Sequence, residues 1–99
     1  MDVIESDRFK RWLKKLKDAK GKARILARIH RLVSGLAGDV EPVGGGISEL
    51  RIHYGPGYRV YYYQEGEAFV ILLCGGHKDS QQRDIETAHE VLKEWRSQR

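Results

Sequence analysis

One cysteine and two prolines in 99 residues exclude two classes at once. Cys74 has no second thiol to pair with, which rules out a secreted scaffold stapled by internal disulfides. The scarcity of proline and serine, with no low-complexity tract or repeat, rules out a chain divided by a linker. Long apolar runs are missing as well. The longest, Ala68 to Cys74, has seven residues, against the roughly 20 of a membrane helix. Met1 to Asp7 carries neither the basic nor the apolar stretch of a signal peptide, so a cytoplasmic protein without membrane contact is expected.

Several site signatures are also missing. His30, His53, His77 and His89 form no H-x-x-x-H pair, so no metal and no other cofactor is expected. The triplet Gly44-Gly45-Gly46 is not followed by Gly-Lys-Ser/Thr and reads as a turn, not a phosphate loop. No serine sits in a nucleophile elbow. Cys74 lies in an apolar segment, where a thiol is inert packing.

What remains is enough for one core. Hydrophobic residues make up 40% of the chain, and two Trp, five Tyr and two Phe can anchor it, so residues 1–99 read as a single domain. The net charge is +4, divided unevenly: residues 1–34 carry +7 and residues 35–99 carry −3. A basic surface points to an anionic partner.

The periodicity predicts the elements. Asp2 to Glu5 reads as a short strand, and Ser6 as the N-cap of a helix with Phe9, Trp12, Leu13 and Leu16 on one stripe. Gly21 is expected to break that helix. A second helix from Lys22 would carry Ile25, Leu26, Ile29, Val33 and Leu36 on one face. Residues 38–46 read as a loop. Strands follow at Ile47–His53, Tyr58–Gln64 and Ala68–Cys74, separated by turns at Gly55-Pro56-Gly57 and Glu65-Gly66-Glu67. A C-terminal helix carries Ile85, Ala88, Val91, Leu92 and Trp95 at helical spacing. The order β-α-α-β-β-β-α, with a helical hairpin on one face of an antiparallel sheet, is α+β.

Strand alternation then selects candidate residues. If Leu50 and Ile52 face the helices, Arg51 and His53 face the other way, with Arg59, Tyr61 and Tyr63 beside them and His77 and Lys78 at the end of the third strand. Arginines and aromatics on an open sheet face suit a phosphodiester with stacked bases. The plainer reading pairs Arg51 and Arg59 with Glu49 and Glu65 on a solvated face.

The segments Glu49-Leu50-Arg51-Ile52, Gly55 to Tyr62 and Leu72 to Gln82 resemble the bacterial RelE/ParE toxin superfamily. Within it, the HigB-like addiction module killer proteins are the nearest branch. The resemblance implies the toxin of a type II toxin–antitoxin pair. Its expected activity is that of a metal-independent, ribosome-dependent mRNA endoribonuclease neutralised by a cognate antitoxin. It implies a phosphate clamp at Arg59, with Arg51, His53, His77 and Lys78 completing the catalytic set. Tyr61, Tyr63, Lys14, Lys15 and Lys17 would bind mRNA on the ribosome. Asp84 departs from the pattern, standing about where RelE-like members have a tyrosine. The alternatives within the superfamily are a ParE-like inhibitor of DNA gyrase and an inactive member that only binds antitoxin or nucleic acid.

Overall fold

The structure, a computed structural model, describes residues 1–98. In chain order the elements are β1 (Asp2–Glu5), α1 (Asp7–Lys15), α2 (Ala19–Val33), β2 (Val40–Gly44), β3 (Ile47–Ile52), β4 (Tyr58–Glu65) and β5 (Phe69–His77). A 3-10 turn, Lys78–Ser80, leads into α3 (Gln81–Ser97). The α+β class holds. The strands form one sheet in the order β1-β5-β4-β3-β2, with β1 parallel to β5 and every other pair antiparallel.

Local chemistry sets the helix starts. Ser6 caps α1: its hydroxyl accepts from the Phe9 amide at 3.0 Å and donates to the Leu73 carbonyl at 2.7 Å, fastening the helix to β5. The break after α1 falls before Asp18, not at Gly21. Asp18 caps α2 by accepting from the Gly21 amide at 2.9 Å, and it also accepts from the Tyr58 hydroxyl at 2.8 Å. Gly21 is the close-approach residue of that first turn. A Cβ there would stand 2.6 Å from the Tyr58 ring.

The buried stripe of α2 is Ile25, Ile29 and Leu32. Leu26 and Leu36, expected on that face, are 48% and 65% exposed. The segment read as a loop contains β2, an edge strand. Pro42 is tolerated there because an edge strand has one side without a ladder partner, and the register slips between Pro42 and Gly44.

The sheet is covered on both faces. Phe9, Ile25 and Ile29 from α1 and α2 pack on Leu50, Ile52, Val60, Val70 and Leu72. On the opposite face, Ala88 and Leu92 of α3 pack on Ile47, Tyr61, Ile71 and Leu73. A bulge in β5 pairs Tyr61 with Cys74 but Tyr62 with Leu72, which puts Leu73 and Cys74 together under α3. The face expected to be open is therefore roofed by α3, except toward the far end of β3 and β4. That end holds the polar side chains described next.

Candidate anion site around Glu49

Alternation along β3 places Glu49 and Arg51 on the α3 side of the sheet, and the register places Tyr61 opposite Glu49 and Arg59 opposite Arg51. Two guanidinium groups directly across a strand pair repel each other. Glu49 offsets this. Its side chain is fully buried, with one oxygen accepting from Arg51 Nε at 2.9 Å. The other accepts from the Tyr61 hydroxyl at 2.9 Å and from Gln81 Nε2 at 2.7 Å. Arg59 Nε lies 3.9 Å from that same oxygen, beyond hydrogen-bond distance.

Arg59 is the incompletely used member. Its side chain is 11% exposed, and its Nε is buried without a hydrogen-bond partner among the described residues. A buried donor left unpaired costs free energy. Arg51, at 31% side-chain exposure, forms the solvent side of the pair.

The electrostatics follow from this geometry. Burial raises the proton affinity of Glu49, but bonds from Arg51, Gln81 and Tyr61 and the charge of Arg59 outweigh it and hold the carboxyl below its usual range. Tyr61 is pushed the other way, first by burial and then by its bond to Glu49, so its phenol stays protonated. Glu49 is thus a fixed anion, which suits it to orient cations and not to move protons.

Close packing beside the cluster comes from Gly76, which pairs with Arg59. A Cβ at Gly76 would lie 1.8 Å from the Asp84 carboxylate. Asp84 in turn accepts from the Ser80 hydroxyl at 2.5 Å. This fastens the first turn of α3 over the end of β5, which is how Gln81 comes to reach Glu49.

The other candidates are dispersed. His53 lies just past the end of β3, 70% exposed, with Nε2 2.5 Å from the Asp39 carboxylate. His77 ends β5, where its Nδ1 accepts from the Asp79 amide at 3.3 Å and caps the 3-10 turn. Lys78 is exposed, against the glycine-rich β3–β4 connection at Gly57. Among the described residues no hydrogen bond or ion pair joins His53, His77 or Lys78 to Arg51 or Arg59.

Tyr61 is 0% exposed, so its ring is not presented to a base. The expected open tyrosine face is corrected here, because α3 covers it. Tyr63 is half-buried toward the other end of the sheet, its hydroxyl on Glu65 at 3.1 Å and its ring under Arg96. Lys14, Lys15 and Lys17 are exposed on and just after α1, which packs on the opposite face from Glu49.

Sequence reasoning treated Glu49 only as a bland ion-pair partner and did not single out Gln81. The signal for Glu49 was present, since it precedes Arg51 by two on one strand face. For Gln81 there was none. No group of three or more His, Cys, Asp or Glu side chains is placed to hold a metal among the described residues, and no helix there is long and apolar enough to cross a membrane.

Residues 11–93 match the family described as Phage derived protein Gp49-like (DUF891), and the chain belongs to that family. It is also similar to a Haemophilus influenzae protein described as "Uncharacterized protein", with 50% identity over 86 residues, 87% of each chain.

Proposed function

We propose that this protein is the toxin of a toxin–antitoxin pair and acts as an mRNA endoribonuclease, with Arg59 as its phosphate clamp. The single observation carrying the reading is the juxtaposition of two guanidinium groups across β3 and β4, Arg59 lying 3.9 Å from Glu49 and Arg51 presenting its exposed side next to it. A bidentate guanidinium suits the non-bridging oxygens of a phosphodiester. Membership of the Gp49-like family, associated with toxin–antitoxin modules, supports a toxin with an antitoxin partner.

In the proposed reaction the ribose 2′-oxygen attacks the adjacent phosphorus. A 2′,3′-cyclic phosphate forms, and the bond to the 5′-oxygen breaks. The 2′-OH proton passes to a base, and an acid returns a proton to the leaving oxygen. Arg59 and Arg51 stabilise the charge that accumulates on phosphorus-bound oxygens. His77, whose Nδ1 is occupied by the cap, offers Nε2 for proton transfer, and Lys78 beside it adds positive charge. His53 on Asp39 is the second proton-transfer candidate. Tyr63, Lys14, Lys15 and Lys17 serve the docking of RNA on the ribosome in this reading. The single domain and the cytoplasmic location belong to the same proposal.

The test is induced expression with transcript mapping. Wild type is expected to arrest growth and cut transcripts, and Arg59→Ala to do neither while remaining folded. Growth arrest with intact transcripts and broken DNA would overturn the nuclease reading in favour of gyrase inhibition.

A further inference from the structure

Asp39, the residue just before β2, links two members of the candidate site. Its carboxylate lies 2.5 Å from His53 Nε2, and its carbonyl accepts from the Arg51 amide at 3.0 Å. His53 and Arg51 share no direct bond, so the placement of Asp39 is what relates one to the other.

Arg28 closes this network from α2, whose buried stripe packs on the sheet face away from Glu49. Its Nη1 donates to the Arg51 carbonyl. Its Nη2 donates to the carbonyls of Ala37 at 2.9 Å and Asp39 at 3.3 Å. Among the described residues no carboxylate lies within 4.0 Å of a charged nitrogen of Arg28, so carbonyls meet its charge instead. Two of them belong to the α2–β2 connection and one to β3, and one planar fork thus fixes the two segments against each other. Gly38 makes the room. Its φ is +77°, and a Cβ there would stand 2.9 Å from Nη2. Lysine could not do the same, because an ammonium is a point charge without the fork.

We propose that Arg28 is a positioning residue of the candidate site, acting through Asp39. It sets where Asp39 stands relative to Arg51, and Asp39 in turn fixes the His53 ring by its Nε2, leaving Nδ1 for proton transfer. The effect on cleavage rests on the nuclease reading above; the placement of the ring does not.

The test compares the full chain with Arg28→Lys and with Asp39→Asn, which loses the carboxylate on His53 but keeps the carbonyl. In nitrogen-resolved NMR, the His53 ring signals of Arg28→Lys should move at least halfway from wild type toward those of Asp39→Asn. The exposed Arg31→Lys serves as a control and should leave them in place. Cleavage of mRNA on ribosomes should fall about tenfold or more in kcat per folded Arg28→Lys protein, with KM little changed. A purely structural role would lower the urea midpoint and leave the ring signals of the folded protein unmoved. Folded Arg28→Lys with wild-type ring signals would overturn the proposal, as would moved signals with an unchanged cleavage rate. Should wild type cut no RNA, the nuclease reading fails, and the ring signals alone decide the placement. Gly38→Ala keeps the guanidinium but crowds Nη2, and it decides the matter should Arg28→Lys not fold. Ring signals unmoved in that variant would overturn the proposal.

Discussion

Arg51 and Arg59 stand directly opposite each other on β3 and β4, and one buried carboxylate, that of Glu49, lies beside both. Glu49 accepts one hydrogen bond from Arg51 Nε and leaves Arg59 Nε without one. The cluster is thus held together by Glu49 while one Arg59 donor stays unpaired.

Glu49→Gln removes the charge that holds this pair. Breaking a buried ion pair from one side costs about 3–5 kcal/mol, and the partial exposure of Arg51 lowers this to about 2–3 kcal/mol. Urea unfolding at neutral pH should show a matching drop in midpoint with an unchanged slope.

The same carboxylate makes stability depend on acid. Its folded-state pKa is depressed, so its contribution is fully present above the ordinary glutamate value of 4.5 and is lost as pH falls through the lowered folded value. Asp18, held low first by the Gly21 amide and then by the Tyr58 hydroxyl, acts in the same direction below its ordinary value of 3.8. The stability gap between wild type and Glu49→Gln should therefore narrow as pH is lowered below about 4.5. A gap that stays constant down to the acid transition would contradict the assigned role.

Much of the fold was legible. The Phe9–Trp12–Leu13–Leu16 stripe turns one side of α1 to the core, and period alone revealed it; alternation in β3 and β4 sorted their residues into two faces, both of which the helices cover. β2 escaped because Pro42 and the glycines after it resemble a loop, and only pairing with β3 makes them a strand. The start of α2 was misplaced because Gly21 looked like a breaker, while Asp18 supplies the actual cap. The apolar stripe of α3 was visible, but nothing in its period says which sheet face it covers. That choice buries Tyr61 and brings Gln81 to Glu49. The arginines of the candidate site could be read from alternation; the closeness of Glu49 and Gln81 depends on tertiary placement.

Gly75→Ala tests the contact between α1 and β5. A Cβ at Gly75 would lie 2.3 Å from the Trp12 ring, which must shift to admit it. Overpacking of this kind costs about 1–3 kcal/mol. Thermal unfolding should record the loss, together with a changed Trp12 fluorescence resolved in a Trp95→Phe background.

Ser6→Ala removes both the cap on Phe9 and the bond to the Leu73 carbonyl. Loss of an N-cap costs about 1 kcal/mol. Urea unfolding should show at least that, and Ser6→Asp should restore the cap-dependent part.

The most direct test of the central claim is the rate at which purified protein cleaves mRNA on translating ribosomes, compared between wild type and Arg59→Ala at equal folded concentration. Losing one transition-state donor should lower the rate by about 10²–10³, with ribosome association retained. A folded Arg59→Ala protein that cleaves at the wild-type rate would contradict the account.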